Sequence, residues 1–461
     1  MKTNKLFGML ILIVGVMLVF GFAACDDGNG GSGNGGNGDN EGKSGGDVPV
    51  TSISITPATA VTLTVGETAP LSASVLPANA TNTNVTWSSL NTEFAEVNTS
   101  GLVKAVAAGT ATIRVAAADG SGVSAEKTVT VRNPVVYVAG YEGDDDDIYA
   151  ALWKDGVPIR LGAVGSEALS VCATPDGTAY IAGYEMVNSN RVATLWTVAA
   201  AKNVTKLALS DAEYSEVSGI CQTNDGAVWV CGYEMQPANV AAVWKVAAGV
   251  KTAVTISNGM RVDDICAVGS TVYAVGRNDS ESRLWTISGT AVTNMLNIEG
   301  SDEMEIYGIY ARGSTVYLTG CDYDESADES IPVIWTVNGA NVSSQFFSIP
   351  AGNYGWGNSV YVTPDGAKYV AGVYLYYSDN NYDSTPVLWK NDTQLSLSVD
   401  SGEAYGVYGA PDGTVYVCGE AYTDNTPVIL WKVTAAGTVS AQSVSLTSGM
   451  LWAAAYGVHV R

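Results

Sequence analysis

The sequence predicts an all-β chain in two folded parts, a two-sheet sandwich followed by a ring of seven four-stranded blades that the C-terminal strand closes. Three observations lead there. Runs with the period of a long amphipathic helix are absent after residue 24, glycine is abundant (51 of 461 residues) while only 15% of residues are charged, and one short element recurs seven times at spacings in the forties. Many tight turns, sparse charge and a repeat of that length are the marks of short strands packed in series.

The N-terminal residues are a targeting signal. Lys2 and Lys5 precede an apolar stretch from Leu6 to Phe22, and small residues follow before a cysteine, the order of a secretory leader. Phe22-Ala23-Ala24-Cys25 resembles the lipobox of bacterial lipoproteins, which implies cleavage before Cys25 and acylation of its thiol; an uncleaved membrane anchor is the competing reading. Residues 25–49 are built almost wholly of Gly, Asn, Asp and Ser after the cysteine. Such a segment buries too little apolar surface to order itself, and a coil of that length reaches roughly 25–30 Å. It is expected to act as a leash between lipid and folded protein.

Residues 50–132 alternate apolar and polar side chains in short runs: Ile53 and Ile55, Val61 to Val65, Leu71, Ala73 and Val75, then Val85 and Trp87. Period two means strands with one buried face. The series Val65-Gly66-Glu67-Thr68, Leu76-Pro77-Ala78-Asn79-Ala80, Val85-Thr86-Trp87-Ser88-Ser89, Ser100-Gly101-Leu102-Val103 and Ala108-Gly109-Thr110-Ala111-Thr112-Ile113 resembles the bacterial Ig-like domain of group 2. That resemblance implies a β-sandwich serving as a spacer or adhesive module. Trp87 is the side chain large enough to bridge its two sheets, and Gly66 and Gly101 suit turns that a Cβ would oppose.

Residues 134–461 carry the repeat. Its core reads Val136-Tyr137-Val138-Ala139-Gly140 in the first copy and ends at Gly183, Gly232, Gly276, Gly320, Gly372 and Gly419 in the others. A tryptophan strand follows each copy, at Trp153, Trp196, Trp244, Trp285, Trp335, Trp389 and Trp431. A further strand precedes six copies, beginning at Glu167, Glu216, Arg261, Glu305, Trp356 and Glu403 and leading into turns such as Pro175-Asp176-Gly177, whose Asp-Gly pair suits positive φ. The first copy lacks that partner, and Tyr456-Gly457-Val458-His459 at the far end supplies the matching pattern. Seven blades, with the first completed by the C-terminal strand, leave no free sheet edge. The repeat resembles the propeller-like tryptophan repeats of uncharacterised surface lipoproteins, those of spirochaetes among them, which implies architecture and address alone.

Composition narrows the chemistry. Against 22 Lys+Arg stand 46 Asp+Glu, a formal net charge of −24, a field that repels phosphate backbones, so no nucleic-acid partner is expected. The single histidine, His459, shares a repeat column with Cys172, Cys221, Cys266, Tyr310, Tyr361 and Tyr408 and is read as a packing residue, which removes imidazole-dependent schemes. Cys172, Cys221, Cys231, Cys266, Cys321 and Cys418 are read as small buried side chains, with disulfides as the competing reading. Asp144 to Asp147 lack the spaced ligands and glycine of a calcium loop. No metal and no cofactor are expected.

One face of the ring concentrates the remaining signal. If the first strand of each blade is innermost, the loops between second and third strands and the links between blades emerge together, opposite the Asp-Gly turns. They bring Tyr141, Glu142, Tyr184, Glu185, Tyr233, Glu234, Tyr323, Tyr374 and Tyr422 to one rim, while Glu167, Glu216, Glu305 and Glu403 ring the channel mouth. Tyrosines and carboxylates on convergent loops suit a glycan or protein ligand. The expectation is a monomeric, non-catalytic binding or adhesion protein held to the membrane through Cys25. A carbohydrate-active enzyme using carboxylates of the same face and a structural envelope protein are the alternatives.

Overall fold

The computed structural model describes residues 46–461 apart from 145–146, 236–237, 258, 279–280, 302, 325–328, 379–380, 398, 400, 423–427, 449 and 451. The leader, Cys25, most of the tether, Asp145 and Asp146 therefore lie outside the described residues. Among those described, every regular element is a strand.

The sandwich runs from Ser52 to Arg132. One sheet orders Val61–Thr64, Ser124–Arg132, Gly109–Ala117 and Val85–Ser89, with the first pair parallel. A second joins Thr68–Pro70, Leu102–Ala105 and Ala95–Val97, and Ser52–Thr56 pairs with Ser72–Leu76. Alternation of apolar residues places Val61, Leu63, Val103, Ala111, Ile113, Val129 and Val131 in one buried cluster, with Trp87 and Phe94 packed against it. Gly101, at φ +84°, lies where a Cβ would stand 3.0 Å from the Trp87 ring. Turn and core are thus fixed by the same pair.

Seven four-stranded antiparallel sheets follow. In the second, Glu167–Ala173, Ala179–Val187, Asn190–Val198 and Val204–Ala208 run outward in sequence order, and the other blades repeat the pattern. The first blade is Val136–Gly143, Ile148–Lys154 and Val157–Val164, with Trp452–Val460 as its inner strand. The register places Val136 opposite Val460 and Tyr137 opposite His459. The inner strands pack each against the next and the last against the first, so the ring closes as the sequence predicts.

Two side-chain columns hold the blades. The tryptophans sit opposite the middle of each repeat core, Val138 facing Trp153 and Ile181 facing Trp196, and all seven are almost wholly buried. Each large indole fills space between neighbouring sheets that smaller side chains would leave void. The second column is the repeat glycine.

Each inner strand carries a β-bulge at one and the same place, between Ala168 and Ser170, Val217 and Gly219, Val262 and Asp264, Ile306 and Gly308, Gly357 and Ser359, Ala404 and Gly406, and Ala455 and Gly457. The extra residue bends the strand and swings the preceding carbonyl toward its neighbour. A Cβ on Gly183 would meet the Glu167 carbonyl oxygen at 2.0 Å, and the same clash recurs at Gly140, Gly232, Gly276, Gly320, Gly372 and Gly419. The glycine of the repeat is the space the bulge requires.

Candidate functional site

The bulge decides which side chains face the axis. In an unbroken strand, residues three apart point to opposite faces, yet Ala168 and Val171, Val217 and Ile220, and Ile306 and Ile309 are all buried in the core between blades. The inserted residue turns outward-facing positions inward, so Leu169, Ser218, Tyr307, Asn358, Tyr405 and Tyr456 line the axial channel. The channel encloses a cavity of about 390 Å³.

At its floor, toward the Asp-Gly turns, stands the column Cys172, Cys221, Cys266, Tyr310, Tyr361, Tyr408 and His459. Tyr310 and Tyr361 meet edge to face at 5.1 Å, Tyr361 and Tyr408 lie 5.6 Å apart, and Tyr408 and His459 4.5 Å. Burial and the charge of Arg461 push the His459 imidazole down to about 3, so it stays neutral. Burial pushes the Cys172 thiol up to about 12, and all six described cysteines are free. Midway up, the Asp264 carboxylate accepts the Ile265 and Ile309 amides at 2.8 and 3.0 Å and is pushed up to about 7 by burial.

The mouth divides into two sectors. At blades 3 to 5 three carboxylates are answered by arginines: Arg191, reaching from blade 2, pairs with Glu216, Arg261 with Asp263 and Arg277 with Glu305. Tyr214 donates to Glu216 and Tyr307 to Glu305. Burial works against ionisation of Glu216 and Glu305, but these hydrogen bonds and guanidinium charges outweigh it and hold both carboxyls below the ordinary range.

Blades 7, 1 and 2 are different. The Tyr405 hydroxyl donates to Glu420 at 2.8 Å and the Tyr422 hydroxyl to Glu403 at 3.2 Å. Tyr456 stands between two rings, 5.1 Å from Tyr405 and 5.8 Å from Tyr141. Glu167 accepts from Tyr184 and lies close enough to Tyr141 and Tyr456 to raise both phenols. Burial, with the charge of Glu420 added, raises the Glu403 carboxyl despite its tyrosine donors. Among the described residues no lysine or arginine pairs with Glu167, Glu403 or Glu420.

The residues expected at the rim part company here. Tyr141, Glu167, Glu403 and Tyr422 come together at the mouth, and Glu216, Tyr233 and Glu305 sit in the ion-paired sector. Tyr184, by contrast, is only 3% exposed, with the Arg191 guanidinium 4.4 Å over its ring, so it positions Glu167 rather than offering a stacking surface. Glu142 is fully buried and accepts the Thr447 amide at 2.9 Å; Glu185 is buried and pairs with Lys206 at 2.6 Å; Glu234 accepts from Ser210. These three carboxylates fasten the links and outer strands of the blades. Tyr374 packs half-buried against the cluster around Phe347 and Trp389, and the Tyr323 amide bonds Ser301. Tyr405, Tyr456 and Glu420 belong to the site and were not anticipated; the recurrence of tyrosine at Tyr307, Tyr405 and Tyr456, third in three inner strands, was the available signal. Among the described residues no group of three or more His, Cys, Asp or Glu side chains is arranged to hold a metal ion.

Residues 49–129 match the model of the bacterial Ig-like domain, group 2. An uncharacterised protein of Clostridium acetobutylicum is 43% identical over 81 residues, 16% of this chain and 8% of that protein, so the chain spans less than a tenth of the relative it matches. Solved structures similar to it include the β-propeller domain of the Trilobed protease of Pyrococcus furiosus, at TM-score 0.41 and 8% identity, covering 62% of this chain and 98% of that one. Another describes prolyl endopeptidases, at TM-score 0.42 and 13% identity, covering 69% and 47%. These likenesses are of fold alone. The expectation of a non-catalytic protein is nevertheless corrected: the similar solved structures include peptidases and an arabinofuranosidase. The physical reason is that a propeller is a scaffold whose loops and channel decide its chemistry, so the architecture gives no ground for setting catalysis aside. Domains of the matched Ig-like kind are typical of extracellular and surface proteins, and no helix among the described residues is long and apolar enough to cross a membrane.

Proposed function

We propose that this is a lipid-anchored extracytoplasmic protein whose tether and Ig-like domain hold the propeller off the membrane, and whose ligand enters the channel mouth at blades 7, 1 and 2. The observation that carries this reading is the convergence of Tyr141, Tyr405, Tyr422 and Tyr456 with Glu167, Glu403 and Glu420 at the mouth of the axial cavity. Rigid aromatic faces give contact area at little entropic cost, and carboxylates fix orientation. Tyr422, 50% exposed, is open to a ligand approaching the mouth.

A second reading, hydrolysis of a glycoside, is favoured by one observation: Glu403, whose carboxyl is raised by burial, stands beside Glu420. Two neighbouring carboxyl groups, one of them raised, are the pairing that acid-assisted glycoside cleavage uses. A glycan array followed by a turnover assay on each bound glycan tests both. Binding lost more than tenfold in Tyr422→Ala supports the mouth as the site, and binding unchanged in that variant overturns it. Product formed by the wild type and abolished in Glu403→Gln would make the mouth an active site.

A further inference from the structure

We propose that the group seated at blades 7, 1 and 2 is an organic ammonium, held between the rings of Tyr141, Tyr405 and Tyr456 and the carboxylates Glu167, Glu403 and Glu420. This rests on the reading of the mouth as a binding site and names the chemistry of its ligand. The starting point is the contrast between the two sectors of one ring. Glu216, Asp263 and Glu305 each have an arginine of the protein as partner. Blades 7, 1 and 2 present three carboxylates with tyrosine hydroxyls alone.

The sequence extends the contrast to residues beyond the described ones. No lysine or arginine occurs between Arg132 and Lys154, between Lys390 and Lys432, or between Lys432 and Arg461. Those stretches hold Tyr141, Glu403, Tyr405, Glu420, Tyr422 and Tyr456 together with the loops that flank them and contribute no cation; in blade 2, Arg191 lies over the Tyr184 ring and pairs with Glu216, not with Glu167. Lys154 and Lys432 lie over the Tyr137 and Tyr416 rings, at the end of their strands away from the mouth.

Three ligand classes can be weighed against these side chains. An anion meets uncompensated negative charge and is repelled. A divalent metal needs several oxygens converging at once, and among the described residues no such group exists. A cationic nitrogen gains from both components: the faces of tyrosines attract it, and it neutralises carboxylates that burial otherwise penalises. The phenols of Tyr405 and Tyr456 are themselves raised by burial and by Glu403, Glu420 and Glu167, so they remain neutral donors and leave the carboxylates to the ligand. Amino sugars and lysine side chains both carry this group.

The test is calorimetric titration of the full chain at physiological salt with two matched pairs. One is the glucosamine tetramer against the N-acetylglucosamine tetramer, and the other a Gly-Lys-Gly peptide against its Nε-acetylated form. The proposal expects the amine to bind at least tenfold more tightly than its acetylated partner in one pair, which identifies the source. It also expects that preference to vanish in the Glu403→Gln, Glu420→Gln double variant and to persist in Asp176→Asn, Asp225→Asn, which removes equal charge from the opposite face. If acetylated and free amines bind alike and both are lost in Tyr422→Ala, the ammonium assignment falls while the mouth stands. If they bind and neither Tyr422→Ala nor the double variant matters, the mouth reading falls with it. Binding by neither pair overturns the ammonium assignment. Melting curves of each variant establish that it is folded.

Discussion

The carbonyl oxygen of Glu167 stands 2.0 Å from the point where a Cβ on Gly183 would lie. Backbone cannot yield as a flexible side chain can, so Gly183→Ala forces the two inner strands of its blade apart. The expected loss is about 3 kcal/mol in denaturant unfolding, at the upper end for overpacking. Gly177→Ala, whose φ of +86° strains an alanine that would otherwise meet only ordinary contacts at 3.8 Å, is expected to cost about 1 kcal/mol. Equal losses at the two positions would mean that the bulge is not the reason for the repeat glycine.

Tyr184→Ala removes a buried ring from beneath Arg191 and takes a donor from Glu167. A destabilisation of about 3 kcal/mol is expected, as for other large buried aromatics. Tyr422→Ala, half exposed, is expected to stay within about 0.5 kcal/mol of the wild type. Thermal unfolding of the two variants side by side checks the assignment of one to structure and the other to the surface.

Removing Tyr456 to Arg461 strips blade 1 of the part of its inner strand beyond the bulge and exposes Val136 to Ala139 as an unpaired edge. Oligomerisation or loss of cooperative unfolding is expected in size-exclusion and melting experiments. A monomer with unaltered melting would refute ring closure.

Asp264 gives a pH signature. Its carboxyl is near 7 when folded, above the unfolded value, so the stabilising state is the protonated one. Its contribution is fully present below about pH 4 and is lost as pH rises toward 7. Glu216 and Glu305, held low, act in the opposite sense and lose their contribution as pH falls through the acid range. The difference in unfolding free energy between wild type and Asp264→Asn isolates the first effect. That difference is expected to shift in favour of the variant between pH 4 and 7.

Replacing Cys25 with Ala removes the thiol that lipidation requires. Radiolabelled palmitate incorporation is expected to disappear, and the protein to move from the membrane to the soluble fraction. Unchanged labelling would refute the lipobox assignment.

Much of the architecture was legible because each blade is one supersecondary unit, and a unit repeated seven times exposes its own register. Gly140 to Gly419, Trp153 to Trp431 and the match of Tyr456-Gly457-Val458-His459 to the inner strands could all be read from spacing. The mouth was half legible. Glu167 and Glu305 begin their strands, and Glu216 and Glu403 stand within the first three residues of theirs, but the bulge that follows them has no signature in alternation, because it breaks alternation. Period-two reasoning therefore had no means of sending Tyr405 and Tyr456 to the axis. Glu142 and Glu185 were misread for another reason: a carboxylate in an acidic loop looks solvated until the amide or lysine that buries it is known.

The pairing of Val136 with Val460 also sets an order of events in time. The first propeller strand to emerge from the ribosome or a translocation channel waits for the last, and until then six blades can form while one remains a three-stranded sheet with a bare edge. Contacts of such long sequence separation are slow to form and are the step at which misassembly competes. Folding of this ring therefore waits on the strand that reaches Val460. A pause late in synthesis would leave a nearly finished propeller open to pairing with its neighbours.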